Sequence, residues 1–223
     1  MNIQINQDGT IEKIKKNDNI TQTKHSKDYA LNKEERGELE KLINTPKQKI
    51  IFYLTAYAGL RRGEVAQCRL EWLSIEKFNF NGEEKEYLVI NIPYRTTDIR
   101  KPKYIWKAKT RQAERTTIIF NEKISSYVLS YFEQNPKGIY CSEDYIYKVV
   151  AGKKEKYSFT NLINKELFPH SLRATYVYVL KEYGLQDNEI EFLMGWEDVR
   201  TIKNYFKRTK QGVLLSIQNT LSR

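Results

Sequence analysis

The sequence predicts an α+β domain, mostly helical, with one small antiparallel sheet. Three observations lead there. Apolar residues recur at helical spacing on both sides of the chain's middle. Between about 74 and 120 the period changes to short strand-like runs around a hairpin signal, Asn81-Gly82. Hydrophobic residues make up 40% of 223 and aromatics 13%, enough for one packed core.

Residues 1–29 are polar, and their lysines nearly balance Asp8, Glu12, Asp18 and Asp28. They read as an arm or linker, a mobile terminus with short β-segments at 2–5 and 10–14 around Asp8-Gly9. The packed domain begins near Leu31. Asn32 followed by Glu35 is a capping-box pattern, and the helix it opens runs to about Asn44, before Thr45-Pro46. A very apolar helix follows over 47–58 and stops at Gly59; a third covers 62–71. Strands are expected at 74–80 and 87–92, and a further hairpin pairs 103–107 with 115–120 across a connection holding Lys109. Asn121 caps a helix over 122–134. Helices are expected at 143–150, 158–166, 171–183, 188–194 (capped by Asp187), 199–206 and 213–221.

Charge and motif content narrow the chemistry. Lys+Arg is 38 against Asp+Glu 28, a net charge of +10, which suits a polyanionic partner. Two cysteines and two histidines leave little for a disulfide framework or a His-built metal site. No apolar run is long enough to span a membrane. Phosphate-loop, HExxH and GxSxG patterns are absent.

Three clusters remain. Arg61 stands just before a helix N-terminus, where the dipole disfavours a cation; its guanidinium and the helix amides together favour an anion. Glu64 lies three residues on and can hold it. His170 and Arg173 share one face at the start of an apolar helix; imidazole exchanges protons near neutral pH, and guanidinium forks two phosphate oxygens. Gly195-Trp196 is followed nine residues later by Tyr205, beside Lys207 and Arg208. Each cluster alone is also what an ordinary surface or core would carry.

Taken in order, the clusters over about 31–207 resemble the tyrosine recombinases, also called phage-type integrases. AYAGLRRGEVAQCRLEW resembles the first arginine box, KAKTRQAERTTIIF the lysine hairpin, HSLRAT the second box and FLMGWEDVRTIKNYF the closing stretch. The resemblance implies a site-specific DNA recombinase, encoded on a mobile genetic element. Tyr205 would be the nucleophile, Arg61 and Arg173 the phosphate clamp, and Lys109 the acid for the leaving 5′-oxygen, with Lys107 its competitor. His170 would aid proton transfer, Trp196 would hydrogen-bond the phosphate in place of the more usual His, and Glu64 would support Arg61. The intermediate would be a 3′-phosphotyrosine, and no metal or other cofactor is required.

The same resemblance implies domain limits and partners. Residues 1–29 would be the arm, 30–211 the catalytic domain and 212–223 a tail helix with an apolar stripe of Val213, Leu214, Ile217 and Leu221. The partner would be double-stranded DNA, with a monomer in free solution and a homo-oligomeric synaptic complex on DNA; accessory proteins are further candidates. The expected compartment is the cytoplasm of a prokaryotic or virus-infected host cell. Family members usually carry a helical core-binding domain upstream; here about 30 residues precede the catalytic domain, so the chain reads as a fragment or a minimal enzyme. A type IB topoisomerase and a catalytically silent DNA-binding remnant are the alternatives.

Overall fold

The computed structural model describes residues 3–5, 11–13 and 26–196, apart from 81–82 and 110–112. Its first elements are β1 (Ile3–Ile5) and β2 (Ile11–Lys13), paired antiparallel with Ile3 opposite Lys13. The expected β-segments of the arm thus form a hairpin; its Asp8-Gly9 turn lies outside the described residues. A 3-10 turn at Ser26–Tyr29 leads into the domain.

Helix α1 (Lys33–Leu42) opens on the expected capping box. The Asn32 side chain accepts from Glu35 N–H at 2.8 Å, and Asn32 N–H donates to the Glu35 carboxylate at 2.9 Å. Helix α2 (Pro46–Ala56) starts on a proline, whose missing N–H costs nothing at that position. Every residue from Ile50 to Ala56 is buried, so α2 is the central helix, packed on α-helical neighbours rather than facing water on one side. Gly59, at φ +63°, turns the chain out of it.

Helix α3 (Arg62–Gln67) is shorter than the expected 62–71. Tertiary bonds end it: Leu70 N–H donates to Pro136 O, and the buried Gln67 side chain donates to Asp98 and accepts from Ile99 N–H. A 3-10 turn at Leu70–Trp72 follows.

Strands β3 (Leu73–Phe80) and β4 (Glu83–Ile92) form the expected hairpin; Asn81-Gly82 lies outside the described residues. The second expected hairpin is corrected. Strand β5 (Arg95–Thr97) pairs with β6 (Ile105–Lys107), and β7 (Arg115–Ile119) pairs instead with β4, Leu88 opposite Ile119. The reason is burial. β7 is buried along most of its length and lies beside the central strand β4, whereas Ile105 is exposed and Trp106 only half-buried in β6.

The three-stranded sheet β3-β4-β7 is covered on both faces. Leu88, Ile90, Ile92 and Ile119 face the main core with α2, α4 (Glu122–Gln134) and α5 (Glu143–Ala151). Tyr87, Val89, Ile118 and Phe120 face a second core built by α7 (Pro169–Glu182) and α8 (Asp187–Met194). Burial on both sides explains the continuous apolar run of β4.

The remaining differences are local. Helix α6 (Phe159–Leu162) replaces the expected 158–166, because the Asn161 amide donates to the carbonyls of Lys153 and Glu155 and Asn164 takes a left-handed φ of 49°. Helix α7 begins at Pro169, two residues before the expected start, so His170 lies within its first turn. Gln186, not Asp187, is the N-cap of α8. The helices expected at 199–206 and 213–221 lie outside the described residues. Among the described residues no helix is long and apolar enough to cross a membrane.

A methyl group on Gly59 would sit 2.4 Å from Tyr176 Cδ1, in a backbone region that side chains avoid. Gly59→Ala is expected to destabilise the protein by roughly 2–4 kcal/mol, from left-handed backbone cost plus overpacking. Urea unfolding at fixed pH measures it; a loss below ~1 kcal/mol would show that the neighbourhood yields.

Candidate active site

The site grows from three helix ends that meet beside β7. Gly59-Leu60-Arg61 leaves α2 and starts α3, α7 brings its first turn, and α8 brings its C-terminus. A helix end leaves its last carbonyls without partners in the helix and carries partial negative charge. Three successive carbonyls at the end of α8 each meet one arginine. Leu193 O accepts from Arg115 Nε at 3.1 Å, Met194 O from Arg173, and Gly195 O from Arg61 at 3.2 Å. Gly59 O accepts from both Arg173 and Arg115.

Glu64 is the acid among these bases. At position N3 of α3 its Oε2 accepts from Arg61 N–H at 2.7 Å, which supplies the cap that an arginine at the N-cap cannot. Its Oε1 accepts from the Arg61 guanidinium at 3.0 Å. Arg115 grips both oxygens from the other side, at 2.7 and 2.8 Å, with both side chains 2% exposed. Burial alone would raise the Glu64 pKa. The charge and hydrogen bonds of Arg115, with Arg173 and the Arg61 amide, overcome burial and hold it down to about 2. One carboxylate therefore faces Arg61, Arg115 and Arg173, and two positive charges are left uncompensated.

Above this cluster lies an open cleft of about 690 Å³. The structure brings Arg61, Glu64, Lys109, His170 and Trp196 to its lining, together with Arg62, Lys107 and Glu143. Lys109 and Trp196 are exposed, and Arg61 is about a quarter exposed. Arg62 turns to Glu143 instead of Glu64, at 3.1 Å. Lys107 ends β6 and lines the same cleft as Lys109.

Arg173 differs from the sequence expectation. It stands one turn from His170 on α7, yet the two are not equally presented. His170 reaches the cleft, whereas Arg173 is 4% exposed and donates to the carbonyls of Gly59 and Met194. Burial first, then the charges of Arg115 and Arg61, pull its pKa well below the usual arginine value. Tyr205 lies outside the described residues. Tyr183, the nearest rival nucleophile in the sequence, is stacked on Phe120 at 5.0 Å in the second core, and burial raises its pKa.

Sequence reasoning missed Arg115. Its signal was there: a charged residue in phase with Thr117 and Ile119, the inward side of β7. No curated protein matches the sequence at a significant level. The sequence profile described as the phage integrase family matches residues 31–211. Among solved structures, the crystal structure of XerA recombinase is similar at 16% identity and a TM-score of 0.53, over 87% of this chain and 64% of that one. XerH site-specific recombinase bound to difH substrate, a pre-cleavage complex, gives 16% and 0.53, over 84% and 53%. Tn1549 transposon integrase in complex with transposon right end DNA gives 16% and 0.50, over 89% and 67%. The likeness is one of fold, and the chain spans between about half and two thirds of the length of these proteins.

The cleft makes a prediction for His170. Partial burial, then the charges of Arg173, Arg61, Lys109 and Arg62, lower its pKa below 6.5, so the ring is neutral at pH 7. In an NMR titration it is expected to protonate below the ordinary histidine range, and Lys109→Ala is expected to move that titration upward. A histidine that titrates at the ordinary value in both proteins would contradict the cleft's electrostatics.

Proposed function

Since the chain belongs to the phage integrase family, we propose that it breaks and rejoins DNA strands as a site-specific recombinase, through a 3′-phosphotyrosine on Tyr205. The observation that carries this reading is the cleft itself. Arg61, Lys109, His170 and Trp196 converge on one opening, above a buried cluster that holds two uncompensated positive charges. A phosphodiester carries one negative charge and gains another in its transition state, so such a site favours the transition state over the ground state.

In this reading the roles are those that the family resemblance implies. Tyr205 Oη attacks phosphorus, forming the phosphotyrosine bond as the bond to the 5′-oxygen breaks. That oxygen takes a proton from Lys109, a residue of the cleft lining. His170, neutral at pH 7, accepts the phenol proton. Arg61 and Arg173 hold the non-bridging oxygens, and the Trp196 indole N–H donates to one of them. For Arg173 to do so it exchanges at least one backbone carbonyl for phosphate. A 5′-hydroxyl from a second strand then attacks the phosphotyrosine and reverses the sequence. In this scheme side chains supply all the charge, and no metal is required.

The reading extends to assembly. Residues 30–211 would form the catalytic domain and 1–29 an arm. Strand exchange needs several active sites, so protomers that are single in solution would gather on double-stranded DNA. The tail over 212–223, outside the described residues, would link neighbours there. The matched structures are recombinases and an integrase, and nothing in them favours a topoisomerase or a silent remnant.

The test is covalent capture. With a nicked duplex enriched for binding from random sequence, wild type is expected to form a protein–DNA adduct that survives denaturation. Tyr205→Phe is expected to bind the duplex and form none. Arg173→Lys is expected to slow the adduct by ~10²–10³, since an ammonium cannot fork two acceptors. An adduct formed by Tyr205→Phe would move the nucleophile elsewhere.

A further inference from the structure

Arg115 stands apart from the residues that the reaction engages, yet it is the best satisfied side chain in the neighbourhood. A guanidinium has five N–H donors, and Arg115 is given five acceptors. Nε donates to Leu193 O at 3.1 Å. One terminal nitrogen donates to Glu64 Oε1 at 2.7 Å and Ala113 O at 3.2 Å, the other to Glu64 Oε2 at 2.8 Å and Gly59 O at 3.3 Å. Glu64 is filled in the same way: each oxygen accepts once from Arg115 and once from Arg61. A buried ion pair is weak support for stability, since its desolvation offsets its attraction. A role beyond stability fits a buried pair whose carboxylate lines the cleft.

We propose that Arg115 is a positioning residue of the active centre, acting through Glu64 on Arg61. Its first effect is geometric. By occupying two of the four acceptor sites of Glu64 it leaves two, and these fix both the backbone amide and the guanidinium of Arg61 at the start of α3. Its second effect is electrostatic. Glu64 paired with Arg115 is neutralised as a unit, so the charges of Arg61 and Arg173 remain available to a phosphate. Without Arg115 the buried carboxylate would draw Arg61 and Arg173 onto itself, or take up a proton. A third contact joins the parts: Arg115 shares Gly59 O with Arg173 and holds Leu193 O, so the carbonyls beneath the cleft keep their spacing. This inference rests on the strand-breaking reading for its catalytic meaning, though its geometry stands apart from it.

The experiment compares wild type, Arg115→Lys, Arg115→Met and the double variant Arg115→Met with Glu64→Gln. The probe is the nicked duplex enriched from random sequence, and the readout is the single-turnover rate of adduct formation at saturating protein, between mildly acidic and mildly alkaline pH. Adduct amplitude reports the folded fraction separately. Arg115→Met is expected to lower the rate by ~10²-fold with DNA affinity little changed. Relative to wild type at the same pH, its rate should climb as pH falls, because Glu64 is no longer held near 2 and becomes neutral on protonation. Adding Glu64→Gln should remove that pH dependence and recover a large part of the loss; Arg115→Lys should fall between wild type and Arg115→Met. A wild-type rate in Arg115→Met would overturn the proposal. So would a loss seen only in amplitude, with no new pH dependence and no recovery in the double variant.

A second measurement needs no DNA and covers the case in which Arg115→Met fails to fold. By NMR, Glu64 of wild type should titrate near 2, and Arg61 should show slowed guanidinium rotation that Arg115→Lys releases. Glu64 titrating in the ordinary carboxylate range, or an Arg61 freely rotating in wild type, would overturn the positioning role. A wild type that forms no adduct yet shows these signals would instead sink the strand-breaking reading and leave the positioning of Arg61 standing.

Discussion

The structure of the site depends on a single buried carboxylate. Glu64 is the only acid in contact with Arg61 and Arg115 among the described residues, and each of its lone-pair directions is taken. Three guanidinium groups gathered in the interior would repel one another by several kcal/mol at an effective dielectric near 20. One carboxylate relieves enough of that repulsion for the cluster to persist, and it does not cancel the charge. An anion arriving from the cleft completes the neutralisation. The same arrangement therefore suits an anion such as the phosphate of the proposed reaction.

The carbonyls at the end of α8 serve the other half of the balance. A helix C-terminus normally satisfies its last carbonyls with water or a cap. Here Leu193, Met194 and Gly195 turn theirs to Arg115, Arg173 and Arg61 in succession. The placement of α8 against β7 by Ile190, Leu193 and Met194 is what brings those carbonyls within reach. Two cores on opposite faces of one small sheet thus fix the distance between the α3 start, the α7 start and the α8 end. Gly59 is the point where backbone and site coincide, since its left-handed turn ends α2 and its carbonyl accepts from two of the arginines.

Much of this was legible in the sequence. Asn32 with Glu35, Asn121 and Gly195 mark helix ends by local chemistry, and the structure uses them so. The Arg61–Glu64 spacing gave their contact, because one helical turn fixes it. What local pattern cannot supply is partnership across the chain. The strand at 115–119 has the same alternation whichever neighbour it pairs with, and only the buried β4 decides the matter. Helix α3 ends where Pro136 and Asp98 reach it, and neither is near in sequence. Arg173 reads as a cleft residue on its own helix, but its acceptors come from the turn after α2 and from α8. Arg115 went unread for a related reason: a charge on a strand's inward side has meaning only when its acid is known.

The proposed reaction requires Arg61 and Arg173 to hold a scissile phosphate, with at least one of them giving up a backbone carbonyl. A crystal structure of the Tyr205→Phe protein with its duplex tests that most directly. The account predicts a backbone phosphate in the cleft with its non-bridging oxygens within hydrogen-bond distance of both guanidinium groups, at least one of which has left Gly195 O or Met194 O, while Glu64 stays between Arg61 and Arg115. A phosphate bound elsewhere, with both arginines still on the carbonyls of α8, would contradict it.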